Sequence, residues 1–456
     1  MKQCWAQSII ENSKKKQFSI LLLLAFIVSC CIPGTSAGSE RIRSIPIDYV
    51  PASFPVNFSL FTAGSKQYVA FYDSSHRLTL ACRELHTSIW DYSKLNSKVG
   101  WDSHNYLSII VDDEGYIHLA GNMHSSHLEY FHSSVPFNIH SMQAVHTMTG
   151  KDEDVTTYPE FMRGPHREIV FHYRYGRSGS GYEVFNFWSA KERKWKRLLD
   201  TPLTDGRGQM NAYMQGPLLG QDGLYHLLWV WRNTPDCATN HTLSYACSKD
   251  MLQWESIRGE KVELPITLED KQLYVDTTSV NGGLINIGIK IGFDSGGKIL
   301  IGYHKYDSSG NTQLFLTRFK NVVWLSRQVT HWKYRWDFKG YGTIVNELLI
   351  EPPKPSSKKG CVVFGYHHIK YGEGQIAADE NTLEPVETQP IETTYPKELD
   401  SVRSPFPGMV VNKVIDSGKA PEGEHYMLRW ETLSPNRDQE RQEYMPPNSM
   451  LELICY

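Results

Sequence analysis

The sequence predicts an all-β protein, a seven-bladed β-propeller, on three observations. A turn-and-strand unit recurs seven times, the recurrences are spaced like whole supersecondary units, and no amphipathic helix of several turns interrupts them after the first 37 residues. The units are 66–73 (KQYVAFYD), 115–122 (GYIHLAGN), 167–175 (REIVFHYRY), 223–232 (GLYHLLWVWR), 297–306 (GKILIGYHKY), 360–368 (GCVVFGYHH) and 424–432 (EHYMLRWET). Their starts are separated by 49, 52, 56, 74, 63 and 64 residues, room for four short strands and their turns. Several follow an Asp-Gly type turn, as at Asp113-Glu114-Gly115, Asp222-Gly223 and Asp294 to Gly297.

Taken in chain order, the first element is a leader. Lys14, Lys15 and Lys16 precede an apolar run over 18–32, and Thr35-Ser36-Ala37 offers small residues for cleavage, which is the layout of a secretory signal over 1–37. A membrane span needs about 20 apolar residues, more than this run supplies. The remainder, 38–456, reads as one propeller domain. Its outlying stretch is a Glu-, Thr- and Pro-rich segment at about 377–407, expected to be a solvated excursion between the last two units.

Composition narrows the function. Aromatic residues make up 12% of the chain and charged residues 21%, which excludes a disordered chain. The formal charge is −3, and losing 1–37 would remove four Lys and one Glu, so no basic field is available to hold nucleic acid. An acidic ligand would need local cations. Five Cys follow the leader (Cys82, Cys237, Cys247, Cys361 and Cys455), too few and too scattered for a disulfide framework, with Cys237 and Cys247 the pair favoured by proximity. Asn57-Phe58-Ser59 and Asn240-His241-Thr242 are glycosylation sequons, and the first is the better surface candidate.

In a propeller the inner strands converge, so residues at their ends gather on one face. The repeats place His124, Arg174, Arg232, Lys305 and His368 at or just beyond equivalent strand ends. His104 (WDSHNY) and His124 (GNMH) are 20 residues apart, which suits the outgoing end of one strand meeting the returning end of the next. Such imidazoles exchange protons near neutrality. Tyr158 (TTYPEF) and Arg174 (HYR) belong to the next repeat. Two His, a Tyr and an Arg are what β-elimination from a uronic acid requires. The guanidinium offsets the carboxylate charge that opposes loss of the C5 proton, and His or Tyr takes that proton and returns one to the departing C4 oxygen.

The strings WDSHNYL, GNMH, TTYPEF, HYRYGRSGSG, MNAY, WVWRNTPDCATNH, LSYACSKD, IGYHKYD and YRWDF resemble the BNR-4 group of secreted propellers over about 54–382. That group includes ulvan lyases and L-rhamnose-α-1,4-D-glucuronate lyases, and neighbours a family of α-L-rhamnosidases; the opening at 54–73 and the run at 210–267 look most similar to the rhamnose–glucuronate branch. The resemblance implies seven blades and a lyase site of His104, His124, Tyr158 and Arg174. Substrate-binding candidates are Asn105, Asn211, Arg232, His241 and Lys305, with Arg232–Asp236 and Lys305–Asp307 pairing as the plain alternatives for two of them. No cofactor is required for the chemistry, while the resemblance leaves room for a structural cation such as calcium. Cys237 and His241 form a half-site better suited to packing. The position where the rhamnosidases carry their key His holds Gln67.

The expectation is therefore a secreted, monomeric polysaccharide lyase. It would act on an acidic polysaccharide or oligosaccharide, with no nucleic-acid partner and no stable membrane insertion. Two alternatives stay open on the same scaffold: an α-L-rhamnosidase-type hydrolase, and a glycan-binding propeller without turnover. A sialidase is disfavoured because the repeated Ser-x-Asp-x-Gly-x-Thr-Trp box is missing.

Overall fold

A computed structural model describes residues 42–386, 395–442 and 444–456. The expected leader, 1–37, and the centre of the Glu/Thr/Pro-rich segment lie outside them. Ser44–Cys455 form one compact unit. Among the described residues the regular elements are strands and single-turn 3-10 helices, and no helix is long and apolar enough to cross a membrane.

The described strands assemble into seven antiparallel sheets. Each of the seven repeated units becomes an interior strand of its sheet: Lys66–Tyr72, Ile117–Gly121, Tyr225–Arg232, Ile299–Tyr306, Cys361–His368 and Tyr426–Leu433 lie second from an edge, and Ile169–Arg177 lies third because a short extra strand joins its sheet. Their near-continuous apolar burial follows from lying inside a sheet with another sheet on each face. The first strands are different segments, and several of them pack against the first strand of a neighbouring sheet. Ser59–Ala63 meets Leu107–Val111, which meets Thr156–Arg163, while Asn211–Leu219 meets Ile289–Phe293 and Met409–Ile415 returns to Ser59–Ala63. The expectation that the repeated units are innermost is thus corrected by one strand.

Turn chemistry explains where two of the repeats begin. Asp112 Oδ1 accepts from the backbone N–H groups of Glu114 and Tyr116, and Asp294 Oδ1 from those of Gly296 and Lys298. Each carboxylate ties a tight turn before its strand. Gly115 sits there at φ +91°, and a Cβ on it would lie 2.3 Å from the Phe137 ring, so only glycine fits.

Two features of the architecture build the site. After strand Ile117–Gly121 the chain leaves its own sheet, and a short strand, His124–Ser126, pairs with Thr156–Arg163 of the next sheet. At the other extreme, strand Arg43–Val50 joins the sheet formed by Met409–Ile415, Tyr426–Leu433 and Ser449–Cys455, alongside the last of these.

Two expectations need correction, and the sequon reading holds. Cys237 and Cys247 are both buried free thiols. They stand near opposite ends of strand Asn240–Ser248, roughly 20 Å apart at strand rise, beyond disulfide reach. Segment 377–407 is not wholly solvated: Ala377 to Asp379 finish a strand, and Leu383 and Leu399 are buried in the core. Of the two sequons, Asn57 is exposed, whereas Asn240 is fully buried with its amide donating to the Cys237 carbonyl.

Candidate active site

Strands Leu107–Val111 and Ile117–Gly121 pair with Leu107 opposite Gly121, so His104 and His124 emerge from the same end of one hairpin. Their rings lie 4.3 Å apart between centroids. One carboxylate anchors both: Asp102 Oδ1 accepts from His104 Nδ1 at 2.8 Å, and Asp102 Oδ2 accepts a short hydrogen bond from His124 Nδ1. Each Nε2 is left open to ligand. The His104 loop is held from outside by the Tyr72 hydroxyl, which donates to the Asn105 carbonyl at 2.7 Å.

A second carboxylate arrives from far along the chain. Asp438 lies 3.2 Å from His104 Nδ1 and accepts from the Thr343 N–H and hydroxyl and from the Ser103 N–H. It staples three loops around the imidazole. Burial alone would push His104 down, but the facing Tyr158 oxygen and the hydrogen bonds to Asp102 and Asp438 outweigh it and raise the imidazole to about 11. Despite their own burial, Asp102 and Asp438 are held well below the usual carboxylate range by the same contacts. His104 is an imidazolium at neutral pH.

Tyr158 and Arg174 reach the same place from the neighbouring sheet. His124 and Arg174 both sit opposite Thr157, on either side of strand Thr156–Arg163. The Thr157 hydroxyl accepts from Arg174 Nη2 at 3.0 Å and from the Ser125 N–H at 2.8 Å. Immediately after Thr157 the register slips up to Glu160, and Tyr158 takes φ +62° in that bulge. A bulge re-aims its side chain, and a non-glycine left-handed residue costs about 1–3 kcal/mol, a strain of the kind that collects at working sites. The Tyr158 ring then lies 6.4 Å from His124, 6.1 Å from His104 and 5.0 Å from the Arg174 guanidinium.

Arg174 is 1% exposed. Its partners are hydroxyls, Thr157 on one side and Tyr213 at 3.2 Å on the other, and its Nε is buried with no partner at all. A guanidinium buried without a carboxylate partner is chemically suited to take an anion. Tyr213 also touches the Ser178 hydroxyl at 2.6 Å, and the Arg232 guanidinium lies 3.9 Å from its ring. Burial would push this phenol up; the charges of Arg232 and Arg174 reverse that and lower it.

The five substrate-binding candidates separate. Asn105 stands in the His104 loop with a buried Oδ1 that has no partner, and Arg232 is next to the site, though it bonds Asn240 and Asn286 and not Asp236. Asn211 is fully buried and accepts from the Gly179 N–H, which makes it a backbone brace. His241 spends both ring nitrogens on Thr242 and Asn233. Lys305 pairs with Asp276 at 2.5 Å, not with Asp307. His368, expected among the cations, is buried among Trp332, Tyr334 and Tyr371 and pushed down to about 4, so it carries no charge at neutral pH.

Sequence reasoning missed Asp102, Asp438, Thr343 and Tyr213. Asp102 had a signal, an acid two residues before His104; Tyr213 closes the MNAY string; Asp438 and Thr343 had none. The Cys237–His241 half-site offers no free donor: Cys237 is a buried thiol pushed up by burial, and His241 is fully engaged. Asp102, His104 and His124 bring one ligand atom each within 4.8 Å of one another, and both imidazole Nδ1 atoms bond the Asp102 carboxylate. Gln67 is buried, donating to Thr62 and accepting from Arg83.

A 169-residue stretch is 28% identical to the short isoform of ulvan lyase from Alteromonas sp. (strain LOR); it covers 32% of this chain and 31% of that protein, so the match spans about a third of the relative's length. Among solved structures the chain is similar to polysaccharide lyase Uly1, with a TM-score of 0.59 at 15% identity over 92% of this chain and 94% of that one. It is also similar to the PL25 ulvan lyase bound to -[GlcA(1-4)Rha3S]-, with a TM-score of 0.59 at 14% identity over 86% and 94%. At these identities the shared property is the fold, an all-β one built from antiparallel sheets. Residues 66–332, more than half of the sequence, match the BNR repeat-containing family, and the chain belongs to that family.

Proposed function

We propose that this protein is a secreted polysaccharide lyase, a seven-bladed propeller that cleaves the bond at C4 of a glucuronate by β-elimination, with terminal L-rhamnose-α-1,4-glucuronate as its preferred linkage. The single observation that carries the reading is Arg174, a buried guanidinium with only hydroxyl partners, set beside two imidazoles and a phenol. Seven sheets, several with first strands that meet between neighbouring sheets, support the blade count. The lyases among its relatives and neighbours support the chemistry, and the leader-like start and exposed Asn57 support export.

In this reading Arg174 pairs with the C6 carboxylate and relieves the charge that opposes enolate formation. Donation of Nδ1–H to Asp102 leaves the His124 Nε2 with its lone pair outward. His124 Nε2 takes the C5 proton. The released electron pair becomes the C4–C5 double bond, the C4–O4 bond breaks, and O4 takes the proton of the His104 imidazolium. Rings 4.3 Å apart suit two adjacent reacting positions. Tyr158, between His124 and Arg174, packs against the sugar ring. Solvent restores both imidazoles.

The hydrolase alternative needs a carboxylic acid to protonate the leaving oxygen. Asp102 and Asp438 are the carboxylates at the site, and both are held ionised by His104. The test is incubation of the secreted protein with gum arabic or ulvan. The expected product is an unsaturated uronide that absorbs in the ultraviolet, lost about 10²–10⁴-fold in His124→Ala. Saturated glucuronate with free rhamnose would overturn the lyase reading, and glycan binding without any product would leave a binding module.

A further inference from the structure

Arg174 lies directly opposite Glu183 in the register of strands Ile169–Arg177 and Ser180–Ser189. Facing residues of an antiparallel pair project to the same side, and an Arg opposite a Glu ordinarily forms an ion pair there. Here it does not. Glu183 Oε2 instead accepts from His172 Nε2 at 2.7 Å, and both side chains are buried. His172 precedes Arg174 by two residues on the same strand, so the two share a face. On its other side His172 Nδ1 lies 3.9 Å from Glu160 Oε2. Burial alone would push this imidazole down; Glu160 and Glu183 outweigh it and raise it to about 9, so it is charged at neutral pH.

Without that cation the arrangement would be unstable in a particular way. Glu183 would be a buried carboxylate with no counter-charge, facing a buried guanidinium with no counter-charge. The two would satisfy each other. A substrate carboxylate would then have to displace a built-in one.

We infer that His172 is a positioning residue that occupies Glu183 and so keeps the Arg174 guanidinium free for the anionic group of the substrate. This rests on the proposed reading that Arg174 binds a uronate. It makes His172 and Glu183 determinants of affinity for the acidic sugar, although neither touches it.

The experiment compares wild type, His172→Phe, Glu183→Gln and the double variant. Initial rates are measured by the ultraviolet product, and calorimetry measures binding of a rhamnose–glucuronate tetrasaccharide and of its carboxyl-reduced counterpart. His172→Phe is expected to raise KM and Kd about tenfold with kcat within about threefold, the signature of lost ground-state binding, and to leave binding of the neutral counterpart unchanged. Adding Glu183→Gln is expected to restore KM and Kd to within about threefold of wild type. Should His172→Phe fail to fold, Glu183→Gln alone still decides: KM stays level or falls if the inference holds. A tenfold rise there, or a double variant as impaired as the single one, would overturn it. Wild type that binds the tetrasaccharide without eliminating it sinks the lyase reading while the Kd series still judges His172. Elimination with a flat variant series sinks the inference alone. Wild type that neither binds nor eliminates overturns both.

Discussion

Replacing Arg174 with methionine is expected to lower kcat/KM by about 10²–10³-fold or more, about 3–4 kcal/mol of transition-state stabilisation, while the thermal midpoint stays within a few degrees of wild type. The activity loss follows from charge development. On removal of the C5 proton the carboxylate becomes more electron-rich, and Arg174 is the buried cation placed to meet it. The unchanged stability follows from the local hydrogen bonds. When the guanidinium goes, the Thr157 hydroxyl keeps the Ser125 N–H and the Tyr213 hydroxyl keeps Ser178, so neither is stranded. A buried charge without a carboxylate partner is removed at the same time, which offsets the lost packing. Arg174→Lys keeps the charge but loses the planar fork, so it is expected to recover only part of the rate. A methionine variant with rates within tenfold of wild type would show that another group binds the substrate carboxylate.

The second large effect is on stability below neutral pH. His304 is fully buried, neither ring nitrogen has a hydrogen-bond partner, and burial pushes it down to about 4. His368 is pushed down to about 4 and His118 is lowered as well, each with burial as the main cause. Below about pH 6.5 the unfolded chain takes up these protons and the folded chain refuses them. Stability therefore falls as pH drops from about 6.5 toward 4, by about 2 kcal/mol at pH 5 from His304 alone, with the others adding in the same direction. His104 and His172 have the opposite sign. Their folded values are raised, to about 11 and 9, so their stabilisation is complete below about 6.5 and is lost as pH rises through those values. The thermal midpoint is expected to peak near neutrality and fall on both sides, and His304→Phe is expected to flatten the acid side. Calorimetric scans from pH 4.5 to 9 check this; an acid limb that His304→Phe leaves unchanged would contradict it.

The parts legible in the sequence are those whose cause is local. The seven repeated units stand out because each is a local apolar run, at three of them directly after an Asp-bearing turn. The first strands do not: Ser59–Ala63 and Leu107–Val111 are five residues long, and what makes them inner is the first strands of neighbouring sheets that they meet. His104 and His124 could be brought together because one hairpin presents both. Asp438 could not, since it reaches His104 across more than 330 residues of chain and belongs to no strand. The misread cations share one physical reason. Residue type shows that Lys305 is a cation, but whether a substrate or Asp276 neutralises it depends on a partner that only the fold supplies. Asn211 and His241 fail for the same reason, with backbone and neighbouring side chains taking what a sugar might have taken.

The joining of Arg43–Val50 to Ser449–Cys455 works like the clasp of a bracelet. Neither end can be peeled away without unfastening the other, so trimming from one terminus is resisted by bonds formed with the opposite one. The loops around His104, drawn from distant stretches of the chain, are held in place by a fold fastened in this way.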